Sequence, residues 1–180
     1  MKKTFCLISA CFLLIQSNAQ LFSLADVRAQ MVKDWQRAKD YTLEYLNTMP
    51  TDKYSYQPND SVRTFAGHML HLATFNVYYM IVANDMQPPS WLSREMQNRS
   101  SAQNKDSVMY YVIASYDFAI NAVQNSDTSK WGEIKNYNPK SSATRFALMN
   151  KAFEHQEHHR SQTTIYIRML GIRPPNERLF

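Results

Sequence analysis

One long helix is predicted at residues 150–171, which read Asn150-Lys-Ala-Phe-Glu-His-Gln-Glu-His-His-Arg-Ser-Gln-Thr-Thr-Ile-Tyr-Ile-Arg-Met-Leu-Gly171. Gly171 is a typical C-terminal stop, and the prolines at 174 and 175 prevent a continuation. A stripe with three- and four-residue spacing runs along the helix, apolar at both ends and polar in its middle. Its members are Leu148, Ala152, His155, His159, Gln162, Tyr166 and Leu170.

Two histidines one turn apart, His155 and His159, give this helix its chemical interest. Their Cβ atoms lie about 5–6 Å apart in a helix, so both imidazoles can point to one place. Neutral imidazole is a good ligand for zinc and similar divalent ions. The pair alone is equally consistent with hydrogen-bonded core histidines, and a third ligand from another helix is needed to favour a metal site. His158 falls on a different stripe and is expected nearer to solvent.

Residues 1–19 have the pattern of a secretory signal peptide. Lys2 and Lys3 form a basic start, residues 4–15 a short apolar run, and Ser17-Asn18-Ala19 a small-residue cleavage signal. The apolar run is too short for a permanent transmembrane helix. We therefore expect cleavage after Ala19 and export to the periplasm or to the outside of the cell, with no transmembrane segment in the mature chain.

Both cysteines, Cys6 and Cys11, lie in this segment, so the mature chain has no thiol. That excludes a disulfide framework, a cysteine-ligated zinc site and a cysteine nucleophile. Ile8-Ser-Ala-Cys11 loosely resembles a lipoprotein processing box, but the apolar run before Cys11 is short and continues past it, so we favour simple export. Loss of Lys2 and Lys3 lowers the formal charge from +5 to +3. So mild a charge gives no reason to expect nucleic-acid binding.

The remaining chain, residues 20–180, fits one domain large enough to bury a core. Three glycines in the whole sequence disfavour a β-rich fold, which uses glycine in turns and bulges. We expect an all-α four-helix bundle, whose interior can host a metal site built from facing helices. Long connections at 86–101 and 126–142 leave the order and handedness of the helices open. Helical patterns begin near residues 24, 64, 102 and 142–143, and the first three end near residues 48, 84 and 124.

The second predicted helix carries two more histidines, His68 and His71. This helix is apolar nearly all round, and a histidine is costly to bury there without a partner. Gly67 lies one turn before His71 and leaves space beside it. The space fits a functional site and close helix packing equally well.

Short motifs spread along the chain add to the histidine pattern. The most specific is the His-x-x-His-His-Arg-x-Gln run followed by Tyr-x-Arg. With these motifs the chain resembles the DinB-like (damage-inducible, YfiT-type) superfamily over nearly all of residues 20–180, which we take as a single DinB-like domain. The motifs are Leu46-Asn-Thr-Met-Pro50, Tyr56-Gln-Pro58, Ser61-Val-Arg-Thr-Phe65, His71-Leu-Ala73, His155-Gln-Glu-His-His-Arg-Ser-Gln162 and Tyr166-Ile-Arg-Met-Leu-Gly-Ile172.

The resemblance implies a four-helix bundle, usually a homodimer, in which three histidines bind a divalent metal ion. The family pattern carries the ligand role to His71, His155 and His159, and not to His68, because the ligand precedes the Leu-Ala step. Zinc is the ion we expect first, with nickel or another divalent ion as the alternative. The chain departs from the family at Ser161, where glycine is common, and this affects helix packing or the dimer contact rather than the metal.

Two classes of function follow, and the sequence names no substrate for either. In the first, the protein is a metal-dependent hydrolase or transferase, because three histidines leave a coordination position open and no cysteine exists to close it. In the second, the ion only joins helices two and four. A third reading, satisfied core histidines without a metal, is weakened by the third histidine and the resemblance. The expected helpers and rim of the enzyme site are Gln162, Tyr166, Glu157, Trp35, Tyr45 and Tyr78.

Some members of the superfamily resemble thiol-dependent transferases or isomerases that use small thiols such as bacillithiol or mycothiol. Such thiols belong mainly to the reducing cytosol. An exported protein would lack this co-substrate, so the predicted signal peptide disfavours a thiol transferase.

Overall fold

A computed structural model describes residues 22–93 and 95–180, so the predicted signal peptide at residues 1–19 lies outside the described residues. The fold is an all-α four-helix bundle, as predicted, with one small β-hairpin. Single-turn 3₁₀ helices occupy parts of the connections at Thr51–Lys53, Met96–Asn98, Ser100–Ala102 and Thr128–Lys130. The main elements are α1 (Leu24–Thr48), α2 (Phe65–Asn84), α3 (Lys105–Gln124), β1 (Ile134–Asn138), β2 (Ser141–Thr144) and α4 (Arg145–Met169).

Side-chain caps fix where the helices begin. Ser23 and Asp26 form a reciprocal capping box at α1, with Ser23 Oγ accepting from the Asp26 amide at 3.1 Å. The hydroxyl of Thr64 accepts from the Gly67 amide at 2.9 Å and caps α2. At the other end of the chain, Gly171 has φ +74°, the left-handed conformation that ends a helix at glycine, as predicted for α4.

Around the bundle the helices lie in the order α1, α3, α2, α4, so that each packs on its two neighbours. Helices α1 and α2 are therefore diagonal. The two faces of α4 differ as a result, since one packs on α2 and the other on α1. Apolar side chains from all four helices fill the centre, among them Leu46, Leu70, Val112 and Leu148, each essentially without solvent exposure. Burial of this kind contributes about 1.5–3 kcal/mol per large side chain.

The β-hairpin is the feature that the sequence did not predict. Residues 141–144 pair antiparallel with 134–138, which moves the start of α4 from the predicted 142–143 to Arg145. Contacts with the end of α2 hold the hairpin: Tyr137 stacks on Tyr79 with ring centroids 4.7 Å apart, and Lys135 pairs with Asp85. These tertiary contacts outweigh the weak strand character of a polar sequence.

Helix α4 contains an internal ion pair on the face that packs against α1. Arg160 is 2% exposed and forms an ion pair with Glu157 one turn earlier. Its guanidinium also lies 4.3 Å from the Tyr41 ring centroid and donates to Gln156 Oε1 at 3.2 Å. Glu157 is itself partly exposed, and its removal would leave the buried Arg160 charge without a carboxylate partner.

In the described part of the chain, every helix is too short or too polar to cross a lipid bilayer.

Candidate metal centre

Helices α2 and α4 bring three histidines together. His71 comes from α2, and His155 and His159 come from successive turns of α4, as the i, i+4 spacing predicts. One ring nitrogen from each lies within 4.8 Å of the others, so the three side chains form a group that can hold a metal ion. The ring centroids are 5.0 Å apart for His71 and His155, and 4.4 Å for the other two pairs.

A chain of hydrogen bonds connects His159 to the backbone of Arg63. The Tyr166 hydroxyl donates to the carbonyl of Arg63 at 2.6 Å, so its oxygen accepts from His68 Nε2 at 3.0 Å. His68 Nδ1 is then the acceptor for the Nδ1–H of His159, 3.2 Å away. These proton positions follow from the hydrogen-bond network. They leave the lone pair of His159 on Nε2, which is the arrangement that orients a metal ligand from its second nitrogen.

His71 is oriented in the same way by a loop. Its Nδ1 lies 2.5 Å from Oε1 of Gln97, which belongs to the 3₁₀ turn between α2 and α3. Because an amide oxygen only accepts, the proton sits on Nδ1 and the lone pair on Nε2. Two of the three histidines thus have a fixed tautomer with one nitrogen left for a ligand.

His155 differs from the other two histidines. Its Nδ1 is buried and has no hydrogen-bond partner among the described residues. An unsatisfied buried nitrogen costs free energy, and an ion held by the cluster would remove part of this cost by using the ring as a ligand. Phe75 packs on the outer side of the site, with its ring centroid 4.6 Å from His71 and 4.9 Å from His155. The histidines therefore fit a divalent ion in number, spacing and donor type.

Burial keeps all of these imidazoles neutral at pH 7. Chiefly by burial, and secondarily through neighbouring positive charge, the pKa of His68 and that of His155 are lowered to about 4. The same causes lower the pKa of His159 to about 2, and burial also lowers the pKa of His71. A neutral imidazole has the lone pair that a metal ion needs, so the site is ready for a cation without first losing protons.

A cleft of about 980 Å³ opens on the His159 side of the cluster. Gly67 forms part of its wall, and a Cβ there would lie 3.0 Å from Thr64 Oγ1 and 3.4 Å from Arg63 Cβ. A side chain at this position would crowd the cleft, which explains why glycine is suited to residue 67. Beside these, the lining includes His68, His158, His159, Gln97, Gln162 and Tyr166.

Two residues predicted for the rim lie elsewhere. Trp35 is 1% exposed and packs edge-on against Tyr116 and Phe153 in the core. Tyr45 is also buried, with its hydroxyl 2.9 Å from Thr164 Oγ1. Both belong to α1, which faces the opposite side of α4 from the histidines because α1 and α2 are diagonal in the bundle.

The other predicted site residues are distributed around the cluster. Tyr78 packs on Phe75, with ring centroids 6.1 Å apart, and so reaches the triad through one intervening ring. Tyr166 contacts His68 rather than a member of the triad. Gln162 is exposed in the cleft, where its amide nitrogen lies 3.2 Å from Nε2 of the exposed His158. Glu157 points to Arg160 on the α1 side and takes no part in the site.

Sequence patterns alone do not reveal the roles of His68 and Gln97. His68 has the i, i+3 spacing to His71 that a second ligand could also have, and only the side-chain directions separate the two. Gln97 lies in a connection without periodicity, and its contact with His71 depends on the path of that loop.

Comparison with known proteins agrees with this architecture. The DinB family profile matches residues 17–178. A DinB-like protein from Bacillus cereus ATCC 10987 has a similar crystal structure, with a TM-score of 0.69 and 13% identity, covering 83% of this chain and 96% of that chain. For a DinB-like protein (YjoA) from Bacillus subtilis the TM-score is 0.60 with 16% identity, covering 84% of this chain and 96% of that chain. No functionally curated protein matches significantly.

The structural likeness at these identities concerns the fold. The family profile covers most of the sequence, including helices α1 to α4 and all five histidines. The chain therefore belongs to the DinB family.

Proposed function

We propose that this protein binds one divalent metal ion through His71, His155 and His159 and uses it for hydrolysis or group transfer on a small molecule. The observation that carries the proposal is the meeting of three neutral imidazoles within 4.8 Å, two of them with the free nitrogen set by hydrogen bonds. Zinc is the ion proposed, since imidazole suits it well, although nickel is also bound by imidazole.

An ion held by three protein ligands supplies Lewis acidity and lowers the pKa of a bound water. The protein's own contribution is positional. Phe75 packs against His71 and His155, which are themselves partly exposed, while the cleft reaches the triad beside His159. Gln162 and His158 face that cleft and can orient what enters it.

The open position can be tested with cobalt in place of the native ion. Visible absorption of the Co²⁺ protein should change when azide is added, because an exogenous anion can enter an incomplete coordination shell. The matched sample is the Co²⁺-treated His155→Ala protein, whose spectrum should not respond. No response from the cobalt-loaded wild type would mean a closed site, and the catalytic proposal would then fail.

The alternative role is structural. It is favoured by the origin of the histidines, since an ion at the triad would connect α2 to α4. In that case chelation would lower the melting temperature while azide left the Co²⁺ spectrum unchanged. Structural zinc sites usually have four protein ligands, and the described residues offer only these three histidines as a cluster, which is why we place catalysis first.

His68 is proposed as a positioning residue for His159. His68→Ala should still bind one equivalent of metal, but with roughly 10–100-fold weaker affinity, because the partner that fixes the His159 tautomer is lost. His68→Gln should recover part of the affinity, since its amide oxygen can accept from Nδ1–H. Titration with a competing chelator measures both variants, and His158→Ala is the control. Equal affinities for His68→Ala and wild type would remove His68 from the site.

Export and dimer formation are also proposals. The signal-like residues 1–19 support export, and the family resemblance supports a homodimer. Intact mass of the natively produced protein should show a chain beginning near Gln20, and light scattering should give twice the mass of one chain. A retained Met1 would contradict export, a lipid on Cys11 would indicate a lipoprotein, and a monomeric mass would contradict the dimer.

A further inference from the structure

The cleft beside His159 has a polar lining with a charge of one sign. Arg63 is the only permanently charged side chain among the described residues that line it, and none of them is a carboxylate. The described lining residues themselves therefore do not repel an anion. The other polar lining groups are amides, hydroxyls and imidazoles, among them those of Thr64, Gln97, Gln103, His159 and Gln162.

The backbone at Arg63 is tied to the histidine cluster. Its carbonyl accepts from the Tyr166 hydroxyl at 2.6 Å, and Tyr166 contacts His68, which contacts His159. Arg63 also directly precedes Thr64, the N-cap of α2, so the first turn of that helix holds it in place. The backbone from which the Arg63 side chain extends is therefore fixed relative to the proposed metal ligands.

The side chain of Arg63, in contrast, is exposed and makes no ion pair with any residue in 22–93 or 95–180. Arg145 and Arg160 are each engaged by carboxylates of the chain. The guanidinium of Arg63 remains available to a molecule in the cleft.

Neighbouring amides in the cleft are held in position. The Thr64 hydroxyl donates to Gln103 Oε1 at 2.7 Å, and the amide nitrogen of Gln103 donates to the Gln97 carbonyl at 3.2 Å. Gln97 in turn orients His71. The wall between Arg63 and the triad is thus a connected set of side chains with defined directions, which suits recognition of a polar molecule better than of an apolar one.

We infer that the cleft takes a small anionic molecule, carrying a carboxylate or phosphate group that Arg63 binds, with the rest of the molecule directed toward the histidine triad. Guanidinium matches the geometry of both groups and can donate two parallel hydrogen bonds to either. The inference deepens the proposed function by naming its substrate class. It rests on that function only for the position of the molecule next to the metal ligands.

Binding titrations on the full mature protein test the anion site. The probes are succinate, inorganic phosphate and the neutral succinamide, each titrated into zinc-treated and zinc-free protein. Succinate or phosphate should bind and succinamide should not, and binding should weaken as salt concentration rises. The stronger of the two anions identifies the source of the charge as carboxylate or phosphate.

Arg63→Gln should weaken binding of the preferred anion by at least about tenfold, because a charge-assisted hydrogen bond is lost. Arg63→Lys should fall between Arg63→Gln and wild type, since it keeps the charge without the planar fork. Arg168→Gln is the control, an exposed arginine of α4 that does not line the cleft, and it should bind like wild type.

The two proposals fail in different ways in this experiment. Metal content is measured on the same samples, and its absence would count against the metal site alone. Anion affinity that depends on Arg63 in zinc-free protein would still support the anion site. Binding of neither anion, equal binding of succinamide, or an unchanged affinity in Arg63→Gln would overturn the anion site whatever the metal content.

Discussion

His155→Ala is expected to abolish stoichiometric binding of the divalent ion and the response of the protein to chelators. The residue is one of the three proposed ligands, and the two that would remain should bind an ion far more weakly. Since an ion that binds only the native state stabilises it, wild-type protein saturated at about 1,000 times Kd gains roughly 4 kcal/mol. Addition of EDTA should therefore lower the melting temperature of the wild type and leave that of His155→Ala unchanged.

Elemental analysis and thermal unfolding, each with and without EDTA, measure the effect. His71→Ala and His159→Ala should behave like His155→Ala. The matched control is His158→Ala, an imidazole in the same helix that is exposed and outside the triad. If His155→Ala, His71→Ala and His159→Ala all kept wild-type metal content, the ligand assignment would be wrong.

Glu157→Gln is expected to destabilise the protein by about 1.5–3 kcal/mol, the range for a lost hydrogen bond to a charged group. It removes the carboxylate that pairs with Arg160, and Arg160 is 2% exposed, so its charge would stay buried without a counter-ion. Urea unfolding monitored by circular dichroism gives the free energy of unfolding. Metal content should not change, because this pair faces α1 and the triad faces α2.

The control for this prediction is Glu154→Gln, the same substitution one turn earlier at an exposed position of α4. It should alter the free energy of unfolding by less than about 0.5 kcal/mol. If Glu157→Gln were no less stable than Glu154→Gln, then Tyr41, Gln156 and the surrounding backbone would compensate the Arg160 charge without the carboxylate.

Local signals explain which parts of the fold could be predicted. The bounds of α1 follow from the Ser23 cap and from Pro50, and the end of α4 from Gly171, because each acts through its own backbone. The start of α4 was placed too early. Residues 141–144 form a strand because the hairpin docks on Tyr79 and Asp85, which lie fifty or more residues from their hairpin partners.

At the candidate site, too, local sequence signals could be read, whereas features that depend on distant contacts could not. The clustering of the three histidines could be predicted, because helical spacing and the family resemblance both point to them. The aromatic rim was assigned wrongly for Trp35 and Tyr45, since periodicity shows which face of a helix is apolar but not which helix it meets. The support from His68 and Gln97 depends on side-chain direction and on a loop path, neither of which the sequence reveals.

His71, His155 and His159 are proposed to hold one divalent ion. Crystals of the mature protein grown with one equivalent of zinc, with diffraction recorded on both sides of the zinc absorption edge, locate the ion directly. A single anomalous peak bonded to these three imidazoles is the predicted result. A peak held by other side chains, or no peak between α2 and α4 at full zinc loading, would contradict the claim.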